Sequence, residues 1–185
     1  PCIMCPRHEP LVLLEEDAHR FLVGDDGLYM EVRRPWIHAI FQVAHTQVPM
    51  PYGKPPALAL LALPRETLSD ALWRFIRTAR SRAPNEYAAW LTFVPQENEI
   101  GYVEPVEIGS RSHHVQYYRP SASRDCLPVV DCHSHGHAPA FFSPTDDADD
   151  IHDDLKIAFV VGNLNAVSPS FAMRLTGLGL AVDLS

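Results

Sequence analysis

One segment of this sequence repeats with the period of a helix, and almost everything after it has the pattern of strands. Leu68, Ala71, Leu72, Phe75, Ile76 and Ala79 fall at i, i+3, i+4, i+7, i+8 and i+11, one face of a 3.6-residue period. They predict a helix over 66–82. Thr67 with Asp70 offers a weak capping pair after Pro64, and Pro84 ends the helix because the residue before a proline is pushed out of the α region. Beyond it, 87–94 is a buried-strand candidate, and 100–108 and 114–118 read as further strands. A short apolar run at 127–132 follows, and strands at 156–161, 172–176 and 178–184 close the chain. One long helix before a mostly antiparallel run of strands predicts an α+β architecture.

The part before the helix has a different character. Apolar-rich runs at 19–23 and 28–32 flank Gly24-Asp25-Asp26-Gly27, a hairpin signal, while 36–44 is of undecided type. Prolines 49, 51, 55 and 56 around Gly53 mark a loop or linker. We therefore expect a β-rich N-terminal extension over 1–62 and a main domain over 63–185. At 185 residues, 46% hydrophobic and 21% charged, the chain can bury a normal core and is not disordered. No apolar run approaches the roughly 18–20 residues of a membrane span, and no basic-then-apolar start reads as a signal peptide. The chain opens on Pro1 rather than Met, which leaves room for residues before it. Four cysteines are few for a disulfide scaffold of this size, so a reducing cytoplasm is expected. Cys2-x-x-Cys5 is half of a structural zinc site or a redox pair, with a frayed terminus the plainer reading.

Charge narrows the search. The formal net charge is −8, and the window 125–155 holds eight Asp with no Glu, Lys or Arg. The other 154 residues carry 15 acids and 15 bases, which cancel. The acidic balance speaks against a nucleic-acid or membrane-surface binder, which needs a basic face.

Inside that window lies His133-Ser134-His135, followed by Ser143-x-x-Asp146. On a strand, residues i and i+2 share a face, so the two imidazoles stand side by side. Asp146 follows in a Ser-x-x-Asp helix start. Two His and a carboxylate, with a fourth position left to water, form a ligand set typical of catalytic zinc, whereas structural sites close all four positions. Zinc lowers the pKa of its water to about 7, and a nearby carboxylate can then take the proton. Glu86, Glu97, Glu99, Glu104 and Glu107 lie upstream. Glu86 is preferred because it sits where the helix gives way to a buried strand, a rigid junction.

These residues carry a resemblance. The run His133-Ser134-His135, seven residues, Ser143-x-x-Asp146 resembles the signature of JAMM (JAB/MPN) metalloproteases, and Ala83-Pro84-Asn85-Glu86-Tyr87 resembles the segment bearing that family's water-activating Glu. The likeness spans roughly 63–185. More narrowly, 130–136, 140–143, 146–150 and 160–164, with Arg34-Pro35 and 79–89, look like the PRTRC system protein A family, bacterial proteins encoded beside E1-like and ubiquitin-like proteins. The resemblance implies a JAB/MPN (cytidine-deaminase-like) fold with a mixed, mostly antiparallel sheet flanked by helices. It implies that His133, His135 and Asp146 bind Zn2+, that Glu86 is the general acid/base, and that Ser143 donates a hydrogen bond to the oxyanion. It implies zinc-dependent peptide or isopeptide hydrolysis, with a ubiquitin-like protein as substrate and an E1-like enzyme as a further partner. The family places glycines shortly after its Glu, where this chain has Ala88, Ala89 and Thr92. Several relatives of the fold have lost metal, so the alternative is a catalytically silent scaffold binding the same partners.

Plainer readings stand beside these. His137 is a rim residue in a loop context, and an EF-hand fails because the positions requiring Gly and Glu hold Ile151 and Ile157. Phe141-Phe142 is read as core packing behind the site, and Asp149 or Asp150 as a hydrogen-bond partner of the ligand His rings. The remaining acids would line the rim and favour a basic substrate tail.

Overall fold

The structure is a computed structural model, and it describes residues 1–104, 107–111, 114–117, 120–123, 125–150 and 153–184. The chain divides into two compact units, Pro1–Leu63 and Pro64–Ser185.

The first unit is a five-stranded sheet in the order β1(Cys2–Met4), β2(Ala18–Val23), β3(Gly27–Arg34), β4(Ile37–His45), β5(Ala59–Leu61). The hairpin expected at Asp25-Asp26 joins β2 to β3, and the undecided segment is β4. The N-terminus is not frayed: β1 pairs in parallel with β2, and Cys5 is buried behind it with its amide on the Val23 carbonyl. Glu31 is the charged residue at the centre of this unit. It is fully buried, accepts from the Leu14 amide and Arg20 Nε at 2.7 Å each, and lies 3.0 Å from His38 Nε2. Burial alone would raise its pKa, but those three partners outweigh it and hold the carboxyl below its ordinary value.

The second unit opens with α1(Arg65–Arg82), which buries Ala71, Phe75, Ile76 and Ala79. The Thr67–Asp70 pair does not cap it. The helix begins after Pro64, and the Thr67 hydroxyl turns back to the Pro64 carbonyl. Then come β6(Ala88–Val94), β7(Glu99–Val103), β8(Glu107–Arg111), β9(His114–Tyr117), β10(Leu127–Ser134), α2(Pro144–Asp150), β11(Lys156–Gly162), β12(Ser170–Gly177) and β13(Leu180–Asp183). The single run expected over 100–108 is two strands, and positions 105, 106 and 118 of the expected runs lie outside the described residues. Strands β8 and β9 form a separate two-stranded sheet, while the main sheet runs β13-β12-β11-β10-β6-β7. All of its pairings are antiparallel except β10 with β11.

That one parallel pair positions the site. Parallel neighbours cannot be joined by a tight turn, so the chain must leave the end of β10 and cross back to the start of β11. Residues 135–155 make this crossing, with α2 inside it. Strands β6, β10 and β11 sit in the middle of the sheet and are buried nearly throughout, which explains their apolar runs. Alternation divides their side chains between two faces. Tyr87 and Phe159 lie under α1, where the Phe75 ring meets them at 5.7 and 6.1 Å. Asp131 and His133, offset by one from Cys132, share the opposite face with Lys156 and Arg174 by the register of β10, β11 and β12.

Candidate metal centre

The end of β10 and the start of α2 bring together His133, His135 and Asp146. Their ligand atoms all lie within 4.8 Å of one another. His133 is the penultimate residue of β10, held between Ala88 of β6 and Val160 of β11. His135 lies just past the strand, its amide donating to the Val161 carbonyl. The imidazoles are 5.2 Å apart between centroids. Asp146 comes from the first turn of α2, with Oδ1 at 3.7 Å from His133 Nε2.

Each group is prepared in a different way. His135 Nδ1–H donates to the Pro139 carbonyl at 3.1 Å; a carbonyl can only accept, so the Nε2 lone pair is left to face the site. Burial, reinforced by His133, lowers the His135 pKa against the opposing pull of Pro139 and Asp146. The ring is therefore neutral, as a ligand must be. Burial works against the Asp146 charge, but His133 and the hydrogen bonds from Ser143 overcome it and hold the carboxyl below its ordinary value. His133 Nε2 is buried and makes no hydrogen bond. A buried polar nitrogen without a partner is costly, and a cation is a natural partner for it. Ligand atoms about 2.0–2.1 Å from a tetrahedral zinc stand roughly 3.4 Å apart, close to the His133–Asp146 separation. The donor set therefore fits zinc. It is the one such His/Cys/Asp/Glu cluster found among the described residues.

Ser143 and Asp146 close a reciprocal box. The Ser143 amide donates to Asp146 Oδ2 at 2.7 Å, and the Asp146 amide donates to Ser143 Oγ at 3.2 Å. This engages Oδ2 and leaves Oδ1 toward the histidines.

Glu86 is half-buried at the junction between α1 and β6. The β6–β10 register pairs Ala88 with His133, and the Ser134 amide donates to the Tyr87 carbonyl, so its continuation sets Glu86 opposite His135. Three of the other glutamates are elsewhere. Glu97 and Glu99 are exposed on the hairpin, Glu104 pairs with Arg74 and Arg82, and the Glu107 side chain lies outside the described residues. His137 is exposed.

Several expectations are corrected. Asp150 does not reach a histidine ring: it is buried between Lys156 Nζ and Arg174 Nη2, each 2.8 Å away, and the His135 ring takes the Pro139 carbonyl instead. Asp149 is exposed. Phe142 does pack, under the Arg174 guanidinium at 3.8 Å, but Phe141 is 51% exposed with its ring edge-on to His135 at 4.5 Å. The acidic window is not an open field around the site. Lys156 holds Asp131, Asp150 and Asp153, and Arg174 holds Asp147 and Asp150. Burial opposes both positive charges, yet these carboxylates raise both pKa values. Cys2 is exposed and Cys5 buried, both as free thiols.

Four further residues shape the site without belonging to its motif. Ser134, inside the His-x-His run, faces away from the histidines and binds Tyr87. Gly136 has φ +55°, and a Cβ there would stand 2.3 Å from the Pro84 carbonyl oxygen, so it lets the two segments touch. Lys156 and Arg174 are the only Lys or Arg after Arg124, each inside an otherwise apolar strand run. That was a readable signal, since a charge in a buried strand must be paired.

The chain belongs to the prokaryotic homologs of the JAB domain, whose family model matches residues 68–176. It is a family whose members often bind zinc. Residues 1–61 match a second family, described as a domain of unknown function (DUF2016). Among solved structures, the chain is similar to the solution structure of protein DSY2949 from Desulfitobacterium hafniense, at 14% identity and TM-score 0.45, over 62% of this chain and 85% of that one. No curated protein matches. No helix among the described residues is long and apolar enough to cross a membrane.

Proposed function

We propose that this chain is a zinc-dependent peptide or isopeptide hydrolase of JAMM type that processes or deconjugates a ubiquitin-like protein. The observation that carries this reading is the convergence at one point of neutral His135, ionised Asp146 and a buried His133 Nε2 that makes no hydrogen bond. The resemblance to the PRTRC system protein A family supports the choice of substrate and an E1-like protein as a further partner. Four free cysteines are in keeping with work in a reducing bacterial cytoplasm.

His133, His135 and Asp146 hold the metal. Zinc bound there supplies Lewis acidity, polarising the scissile carbonyl and lowering the pKa of water to about 7. Glu86 takes a proton from the attacking water and delivers it to the leaving amine nitrogen. The Ser143 hydroxyl, its oxygen already anchored by the Asp146 amide, donates to the oxyanion.

The test is a fusion of a ubiquitin-like protein encoded beside this chain to a reporter. Glu86→Gln retains stoichiometric zinc and loses cleavage by about 10²–10⁴-fold. Cleavage at the parental rate would remove Glu86 from the mechanism. Protein purified without added zinc that holds no metal and cleaves nothing favours the silent scaffold.

A further inference from the structure

Asp146 offers its ligand oxygen from a helix of only seven residues. A segment that short does not hold its own shape in water. Ser143 fastens its first turn. The last turn is fastened by Asp150, four residues beyond Asp146 and so on the same side of the helix. Asp150 Oδ1 lies 2.8 Å from Lys156 Nζ, and its Oδ2 accepts from Arg174 Nη2 at 2.8 Å.

Lys156 Nζ also donates to Asp131 Oδ2 at 2.8 Å. Asp131 precedes His133 by two residues and shares its face of β10. One buried ammonium thus touches both the strand that carries the histidines and the helix that carries the aspartate. Arg174 adds a second tie: it donates to Asp147, the residue after Asp146, and covers the Phe142 ring just before Ser143. The side chains of Lys156 and Arg174 are 3% and 8% exposed. Buried charges tolerate little displacement from their partners, because a partly separated pair keeps the desolvation cost and loses the attraction.

We propose that Lys156 and Arg174, acting through Asp150, are positioning residues that lock α2 onto β10–β12 and so set the metal affinity of the site. The proposal rests on the metal-site reading above, and neither cation touches metal or substrate. Partners that orient metal ligands typically cost about 10–100-fold in affinity when removed.

The test uses the full chain stripped of metal, with zinc affinity read by chelator competition and coordination by the absorption spectrum of the cobalt form. Asp150→Asn keeps shape and volume, Lys156→Met removes the hub, and Ile76→Ala, buried on α1, is a destabilised control away from the lock. We expect Asp150→Asn and Lys156→Met to weaken zinc by about 10–100-fold and to shift the cobalt spectrum toward that of Asp146→Ala. Ile76→Ala keeps the parental affinity and spectrum despite its lower melting temperature. Parental affinity and spectrum in Asp150→Asn overturn the lock, and so does an equal loss in Ile76→Ala, which would make the effect one of general stability. If Lys156→Met does not fold, Asp150→Asn decides alone. A parent that binds no zinc overturns the metal-site reading and the lock with it.

Discussion

The Ser134 hydroxyl accepts a hydrogen bond from the Tyr87 amide at 3.0 Å, across 47 positions of chain. Ser134 sits between the two histidines, and Tyr87 adjoins Glu86, so one buried bond ties the ligand strand to the segment of the proposed base. Ser134→Ala would leave a buried amide without a partner, at a cost of about 1–3 kcal/mol. Chemical denaturation should show that loss. Cleavage should fall further than zinc affinity, because the junction moves while the ligands stay. An unchanged midpoint would mean the bond does not hold the junction.

Gly136 and Gly179 allow a controlled comparison. Both have positive φ, +55° and +80°, but a Cβ at Gly136 would strike the Pro84 carbonyl oxygen at 2.3 Å, whereas Gly179 faces open space. Gly179→Ala should cost only backbone strain, about 1 kcal/mol. Gly136→Ala adds a clash with backbone and should cost clearly more in thermal unfolding. Equal losses would show that the approach of the two segments is not tight.

Zinc should stabilise the folded chain by mass action. At a free concentration about 1,000 times its dissociation constant, the gain is about 4 kcal/mol. Melting temperature should rise with zinc, return with a chelator, and stay flat for His135→Ala and Asp146→Ala. A parental melting curve indifferent to zinc speaks against the site.

Acid should loosen the first unit through Glu31. Its folded pKa lies below the ordinary 4.5, so the stability it contributes is complete above that value and is lost as pH falls through the folded one. Glu31→Gln should be less stable at neutral pH and lose less on acidification, as read by amide exchange in β2–β4. An unchanged acid limb would show that another group controls it.

Much of this was legible before any coordinates. The period of 66–82 became α1, the Asp-Gly turn became the β2–β3 hairpin, and the buried runs became β6, β10 and β11. His133, His135 and Asp146 do converge. Other readings failed for a common reason. Asp149 or Asp150 is expected at a histidine ring and the remaining acids on the rim, but Lys156 and Arg174, which hold Asp131, Asp147, Asp150 and Asp153, come from later strands. The role of Ser134 was hidden because its partner lies 47 residues upstream.

The sequence by itself determined which segments are helix or strand, and which residue types could bind a metal. Both follow from short-range rules: the angular period of side chains along an element, and the donor atoms each residue carries. Tertiary structure alone decided that β10 lies between β6 and β11, and that its single parallel pairing forces the crossing that delivers Asp146. It also decided which carboxylates meet Lys156 and Arg174. Those choices depend on which distant strands pair and which charges are buried together, energies that exist only once the chain has closed on itself.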